Sequence, residues 1–403
     1  MKKIISILTL LFCVCISYAQ AIRVACVGDS ITYGAYIENR DKDSYPAQLG
    51  KTLGDKYDVK NFGLNGATTL FKGDIPYVKT KRYSDALAFN PNIVVIKLGT
   101  NDSKEKNARF VKKDFEKDLT TIIESFKKLP TNPRIYLCIP VPAFQSGKSI
   151  DADRVKYAII PRVKNVAKAQ KVELINLYEI FDGKGEFFPD KIHPNAQGAK
   201  IIAEKVSKHI LAIRVACVGD SITYGSRLVK RMANCYPTRL GNILGDKYNV
   251  QNFGKSGRTT LSKGDRPYIQ TEEYKDALNF APHVVVIKLG TNDSKEKNIV
   301  HIDEFENDMG NLIDSFKKLP TNPTIYLCIP VPAFLKSRDI DTDRVKNIII
   351  PKVKNVAKTH NLKTINLYEI FEGKGEFFPD KIHPNAEGAQ IIATEVSKHI
   401  LEK

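Results

Sequence analysis

Past its first twenty residues the chain has no apolar run long enough to cross a bilayer, which excludes an α-helical integral membrane protein. Histidine is scarce, with seven in 403 residues. No Cys-x-x-Cys pair and no His/Cys cluster occurs, so neither a zinc site nor any other metal or cofactor is implied. Of seven cysteines, Cys13 and Cys15 lie in the first twenty residues. Cys26, Cys138, Cys217 and Cys328 sit inside apolar runs and Cys235 stands alone, a pattern that reads as free, buried thiols. Acidic residues are outnumbered, 45 against 62 Lys and Arg, giving a net charge of +17. That balance raises nucleic acid as a partner. The lysines are dispersed and interleaved with acids, however, as over residues 112–118, which is how a solvated helix face looks; no nucleic-acid partner is expected.

What is present begins with a leader. Met1, Lys2 and Lys3 give a short positive start, residues 4–17 are apolar, and Ser17 and Ala19 are small residues where a signal peptidase reads. A cleaved signal peptide over 1–19 is expected, with export to the periplasm or beyond. Bulky Phe12 and Val14 precede Cys13 and Cys15, which argues against a lipid anchor.

The mature part is a duplication. Residues 22–34 return unchanged as 213–225. The offset is 191 as far as Asn107 and Asn298, and 190 from Phe115 and Phe305 onward, so one residue is dropped between. A period of this size means two whole domains, 20–211 and 212–403, rather than a solenoid. No Gly/Ser/Pro tether separates them, which predicts domains that pack against each other.

Within one copy, Val24 to Val27, Val59 to Phe62, Ile93 to Leu98, Ile135 to Ile139 and Leu174 to Leu177 read as five short strands. Their unbroken apolar character predicts burial on both faces, as in a parallel sheet. Amphipathic stretches alternate with them, notably Phe115 to Leu129 and Ala196 to Leu211. The expected fold class is α/β: two tandem three-layer α/β/α sandwiches with five-stranded parallel sheets. In such sheets ligands sit at the carboxyl ends of the strands.

The residues capable of chemistry fall there. The first strand ends in Gly28, Asp29 and Ser30; the second is followed by Asn65 and Gly66; the third by Gly99, Thr100, Asn101 and Asp102. Asp190 and His193 precede the last helix. The second copy repeats these as Ser221, Gly257, Asn292, Asp380 and His383. A serine hydroxyl needs a base to become nucleophilic, and a histidine held by an aspartate is such a base. Acyl transfer also needs donors for a developing oxyanion. The backbone N–H groups of Ser30 and Gly66 (Ser221 and Gly257) and the amide of Asn101 (Asn292) are candidates. Past the leader, the first copy contains only His193 and His209, and His209 lies at the domain boundary, which leaves His193 as the base.

These four blocks, in this order and twice over, resemble the SGNH hydrolases, also called GDSL-type esterases. The resemblance implies Ser30, Asp190 and His193, with Ser221, Asp380 and His383, as catalytic residues. It also implies the three oxyanion donors of each copy, a flavodoxin-like fold and no metal. The polar loop after the nucleophile, followed by Ser44, Tyr45 and Pro46, is similar to exported bacterial carbohydrate esterases, including sialate O-acetylesterases. An O-acetylated sugar is the substrate this implies. A lipase, lysophospholipase or thioesterase on longer acyl chains is the alternative, and a non-catalytic sugar-binding protein a third reading.

Blander roles stand beside these. Ser30 could cap the following helix, Asp190 could cap the last one, and Asp29, Asp102, Asp220 and Asp293 could brace their turns. Lys97 and Lys288 interrupt apolar strands and either pair with an acid or meet substrate. Phe187 and Phe188 line an acyl pocket or pack under the loop; Tyr33 and Tyr224 face core or site. Arg40 and Arg231 occupy matching places and either grip a sugar carboxylate or are solvated. Around them the loops differ, residues 38–43 being mixed in charge and 227–232 basic, which predicts different ester preferences in the two copies.

Overall fold

A computed structural model describes residues 21–146, 149–335 and 339–402; the leader, 1–19, lies outside them. The chain divides into two compact units, the second beginning at Leu211. No helix among the described residues is long and apolar enough to cross a membrane.

In the first unit β1 (Ile22–Gly28), β2 (Tyr57–Gly63), β3 (Ile93–Lys97), β4 (Arg134–Ile139) and β5 (Glu173–Asn176) form one sheet in the order β2-β1-β3-β4-β5. Every pairing is parallel. The second unit repeats it with β6 (Ile213–Gly219), β7 (Tyr248–Gly254), β8 (Val284–Lys288), β9 (Thr324–Ile329) and β10 (Lys363–Asn366).

Alternation along the strands makes the three layers. Ala25, Val27, Val94 and Ile96 face one side, where Val111, Phe115, Leu119, Ile122 and Phe126 of helix Glu105–Lys127 pack on them. Val24, Cys26, Ile93 and Val95 face the other, against helices Tyr45–Leu53 and Ala196–Leu211. Each fully buried aliphatic or aromatic side chain contributes about 1.5–3 kcal/mol. The five cysteines of the described residues are buried and unbridged.

The dropped residue has a visible effect. Helix Glu105–Lys127 is continuous, whereas its counterpart is cut into Glu296–Ile299, a 3₁₀ turn Ile302–Glu304 and Phe305–Lys317. Asn298 and Phe305 stay buried as Asn107 and Phe115 do, with one residue fewer between them. A 3₁₀ segment rises about 2.0 Å per residue against 1.5 Å for an α-helix, so it restores the span.

Candidate active site

Three strand ends and one distal loop converge in each unit. β1 turns at Asp29 into the four-residue helix Ser30–Tyr33, and the Asp29 carboxylate accepts the Ile31 N–H at 3.0 Å. Ser30 therefore stands at the sheet's carboxyl edge. Its Oγ lies 2.8 Å from His193 Nε2, and His193 Nδ1 lies 2.6 Å from Asp190 Oδ2. The second unit gives 2.8 Å from Ser221 Oγ to His383 Nε2 and 2.7 Å from His383 Nδ1 to Asp380 Oδ2. A carboxylate can only accept, so Nδ1 carries the proton and the Nε2 lone pair faces the hydroxyl.

The Asp-x-x-His loop is shaped by its first residue. Asp190 Oδ1 accepts the N–H groups of Ile192 (3.0 Å) and His193 (2.6 Å), and Lys191 between them takes a left-handed φ of 68°. Partial burial pushes the Asp190 carboxyl up, but these bonds and the one to the His193 ring outweigh it and hold it below the ordinary range. Asp380 behaves likewise. Phe188 is fully buried against Phe144 and Phe181, so it packs beneath this loop rather than lining an acyl pocket.

Gly66 follows β2 with φ +77°, and Gly257 with φ +78°, a conformation that suits glycine. Asn101 donates one amide hydrogen to Ala67 O at 3.1 Å, which leaves its second for the cleft; Asn292 does the same to Arg258 O at 3.1 Å. Asp102 accepts its own backbone N–H, as a brace of its turn would, and also holds the neighbouring loop. Its two oxygens accept the N–H groups of Thr69 (3.0 Å) and Leu70 (2.8 Å), and Asp293 does so for Thr260 and Leu261. Burial pushes both carboxyls up to about 7, with the N–H bonds pulling the other way.

Lys97 is fully buried, so it cannot meet substrate. Its Nζ sits 3.1 and 3.0 Å from the Asp29 oxygens and 2.8 Å from Thr100 Oγ1. Lys288 holds Asp220 and Thr291 in the same way. Burial pushes the Lys97 ammonium down, and Asp29 opposes this.

Sequence reasoning missed Asn107 and Asp74. Asn107 donates to Asn101 O (2.9 Å) and Asp74 Oδ1 (2.8 Å) and accepts the Asp74 N–H, so it ties the asparagine turn to the loop beyond Gly66. Their recurrence as Asn298 and Asp265 was the available signal. It also missed Tyr36, whose ring meets His193 edge-on at 5.0 Å.

A cleft of about 1010 Å³ opens over Ser30, lined by Tyr33, Tyr36, Arg40, Gly66, Asn101 and His193 among others. Arg40 stacks on Tyr33 at 4.3 Å and lies 3.3 Å from Asp41. Arg231 stacks on Tyr224 at 4.0 Å and donates to its carbonyl. His209 pairs with Glu173, away from the site.

Residues 26–201 and 217–391 each match the GDSL-like lipase/acylhydrolase family. A curated acetylxylan esterase from Xylanibacter ruminicola is 42% identical over 209 residues, which is 47% of this chain and 43% of that protein. The chain thus spans less than half of that relative's length. Among solved structures, Est24, a carbohydrate acetylesterase from Sinorhizobium meliloti, aligns with a TM-score of 0.38 at 18% identity, over 47% of this chain and 98% of its own. The lipase/acylhydrolase from Enterococcus faecalis gives 0.40 at 23%, over 47% and 95%.

Proposed function

The chain belongs to the GDSL-like lipase/acylhydrolase family, and from that premise we propose that each unit is a serine esterase removing acetyl groups from carbohydrate. The observation that carries the reading is the unbroken Ser–His–Asp chain in both units, with contacts between 2.6 and 2.8 Å. Ser30 Oγ attacks the ester carbonyl while His193 Nε2 takes its proton and Asp190 steadies the imidazolium. The oxyanion accepts from the N–H groups of Ser30 and Gly66 and from Asn101 Nδ2. His193 then protonates the departing sugar oxygen, leaving an acetyl-serine. Water, deprotonated by the same ring, attacks that ester, and acetate leaves as the proton returns to Ser30. Ser221, Gly257, Asn292, Asp380 and His383 take the same parts.

The 42% identical acetylxylan esterase supports acetyl groups on a plant polysaccharide over acylated sialic acid. The test is acetate release from acetylated xylan by the wild type, by Ser30→Ala, by Ser221→Ala and by the double variant. Each single variant should keep part of the activity and the double variant none. Undiminished release by the double variant would sink the reading. Rates on C2 against C8 nitrophenyl esters separate an acetylesterase from a longer-chain lipase. Export through a leader at 1–19 is part of the same proposal, and N-terminal sequencing of the secreted chain checks it.

A further inference from the structure

The two units share their catalytic residues but not what surrounds them. At positions lining the cleft over Ser30, Glu38 and Asp41 offset Arg40 and Lys104, and no net charge remains. The matching positions of the second unit hold Val229, Met232, Arg231 and Lys295, so both carboxylates are gone. Tyr36 and Asn39 become Arg227 and Lys230, and Ser149 becomes Asp339. The same set of positions therefore sums to +3.

Two of the gained cations stand against the reacting groups. Arg227 Nε lies 3.9 Å from Asp380 Oδ2 and its side chain is 80% exposed, where Tyr36 abuts the His193 ring in the first unit. At the oxyanion glycine, a Cβ built on Gly66 would fall 2.9 Å from Ile75 Cδ1, whereas on Gly257 it would fall 3.2 Å from Arg266 Nη1. The nearest group over the oxyanion glycine is thus an isoleucine methyl in the first unit, with Lys104 Nζ farther out at 3.8 Å, and a guanidinium in the second. Arg258 replaces Ala67 in the same loop, and its Nε is buried with no hydrogen-bond partner among the described residues. Neither Arg266 nor Lys230 has an ion pair among those residues. Lys255, which replaces Leu64, is taken by Glu273 at 2.7 Å. Arg40 and Arg231 are common to both units and cannot distinguish them.

We propose that the two sites divide their substrates by charge: the Ser30 site takes acyl esters of neutral sugars, and the Ser221 site takes acyl esters of sugars that carry a carboxylate. The inference rests on the esterase reading above. Arginine presents a planar fork that matches a carboxylate, and Arg227 stands beside Asp380 while Arg266 stands beside Gly257, so both can reach a carboxylate on a sugar bound at the site. An anionic sugar in the first site meets Glu38 and Asp41 instead.

The test uses the full chain with one serine silenced at a time. Ser221→Ala reports on the first site and Ser30→Ala on the second. A matched pair of acetyl esters, one on methyl glucoside and one on its glucuronic acid equivalent, gives the acid-to-neutral ratio of kcat/KM. That ratio should be at least about tenfold higher for Ser30→Ala than for Ser221→Ala. It should fall as salt rises from about 50 to about 500 mM, since the cations are solvent-facing. Exchanging Arg227→Tyr with Arg266→Ile in the Ser30→Ala background should bring it toward the first site's value. Ratios equal within about twofold, with both enzymes releasing acetate, overturn the division by charge and leave the esterase standing. No acetate from either ester with either enzyme brings down the esterase reading and this inference with it.

Discussion

Lys97 and Asp29 form an ion pair with neither side chain exposed, the ammonium within 3.1 Å of both carboxylate oxygens, directly beneath the turn that presents Ser30. Removing one partner leaves an uncompensated buried charge, which typically costs 3–5 kcal/mol, whereas replacing both is close to neutral. Lys97→Met should lower the urea-unfolding free energy of the first unit by roughly 3 kcal/mol, and Asp29→Asn with Lys97→Met should recover most of it. An additive double variant would show that the pair is not coupled.

Asp190→Asn tests the tautomer argument. An amide can donate to Nδ1 and so hold the proton on Nε2, where it cannot accept from serine. In the Ser221→Ala background, kcat should fall by roughly 10³–10⁴ with the fold intact by circular dichroism. A loss below about tenfold would mean the aspartate only shapes the loop.

In the Ser221→Ala background, Asn101→Ala removes one of three oxyanion donors and should lower kcat by about 10²–10³ with little change in KM. Single-turnover acetylation of Ser30 reads this directly. A change confined to KM would move Asn101 from the transition state to ground-state binding.

Gly63 ends β2 against the nucleophile's helix, and a Cβ there would fall 2.1 Å from Tyr33 N and 2.6 Å from Thr32 C, both backbone atoms. Gly63→Ala should destabilise by about 1–3 kcal/mol and displace Ser30, lowering kcat. Gly50 is the control: it lies inside helix Tyr45–Leu53, and its Cβ would meet only Val59 at 3.6 Å. Gly50→Ala should stabilise by roughly 0.5–1 kcal/mol. Thermal melts of the two variants moving in the same direction would show that the backbone contact at Gly63 does not decide its cost.

Asp74 carries a pH dependence. Burial raises its carboxyl, but hydrogen bonds from Lys106, Asn107 and Lys104 outweigh that and bring it down to about 2. Its folded value is therefore below the unfolded one, so its stabilisation is present above pH ~4 and is lost as pH falls toward 2. Asp74→Asn should cost about 1–2 kcal/mol at pH 6 and progressively less below pH 4, followed by chemical denaturation. A constant difference across that window would assign the cost to packing.

Much of the site was legible because its chemistry is written in short blocks next to strands that need both faces buried. Val24 to Val27 sit inside β1, Ile93 to Leu98 overruns β3 only by Leu98, and the spacing of Asp190 and His193 fits a single turn. Helix Glu105–Lys127 starts ten residues before the expected Phe115, because its first turns bury little beyond Asn107 and Val111 and carry no apolar stripe. The reach of Asp102 to Thr69 and Leu70 was hidden because those residues are 33 and 32 positions away. Tyr36 was hidden for the opposite reason: its counterpart is Arg227, so the repeat does not mark it, and of Arg227 only its place in a basic loop was legible.

The first strand of each unit has one sequence, IRVACVG, and pairs on both sides in one register. To either half-built sheet the two strands are chemically the same edge. During refolding from denaturant, then, each vacancy next to β2 or β7 is contested by its own strand and by a perfect impostor about 190 residues along the chain. Synthesis from the N-terminus relieves that contest, because the first unit can close before the rival strand has been made.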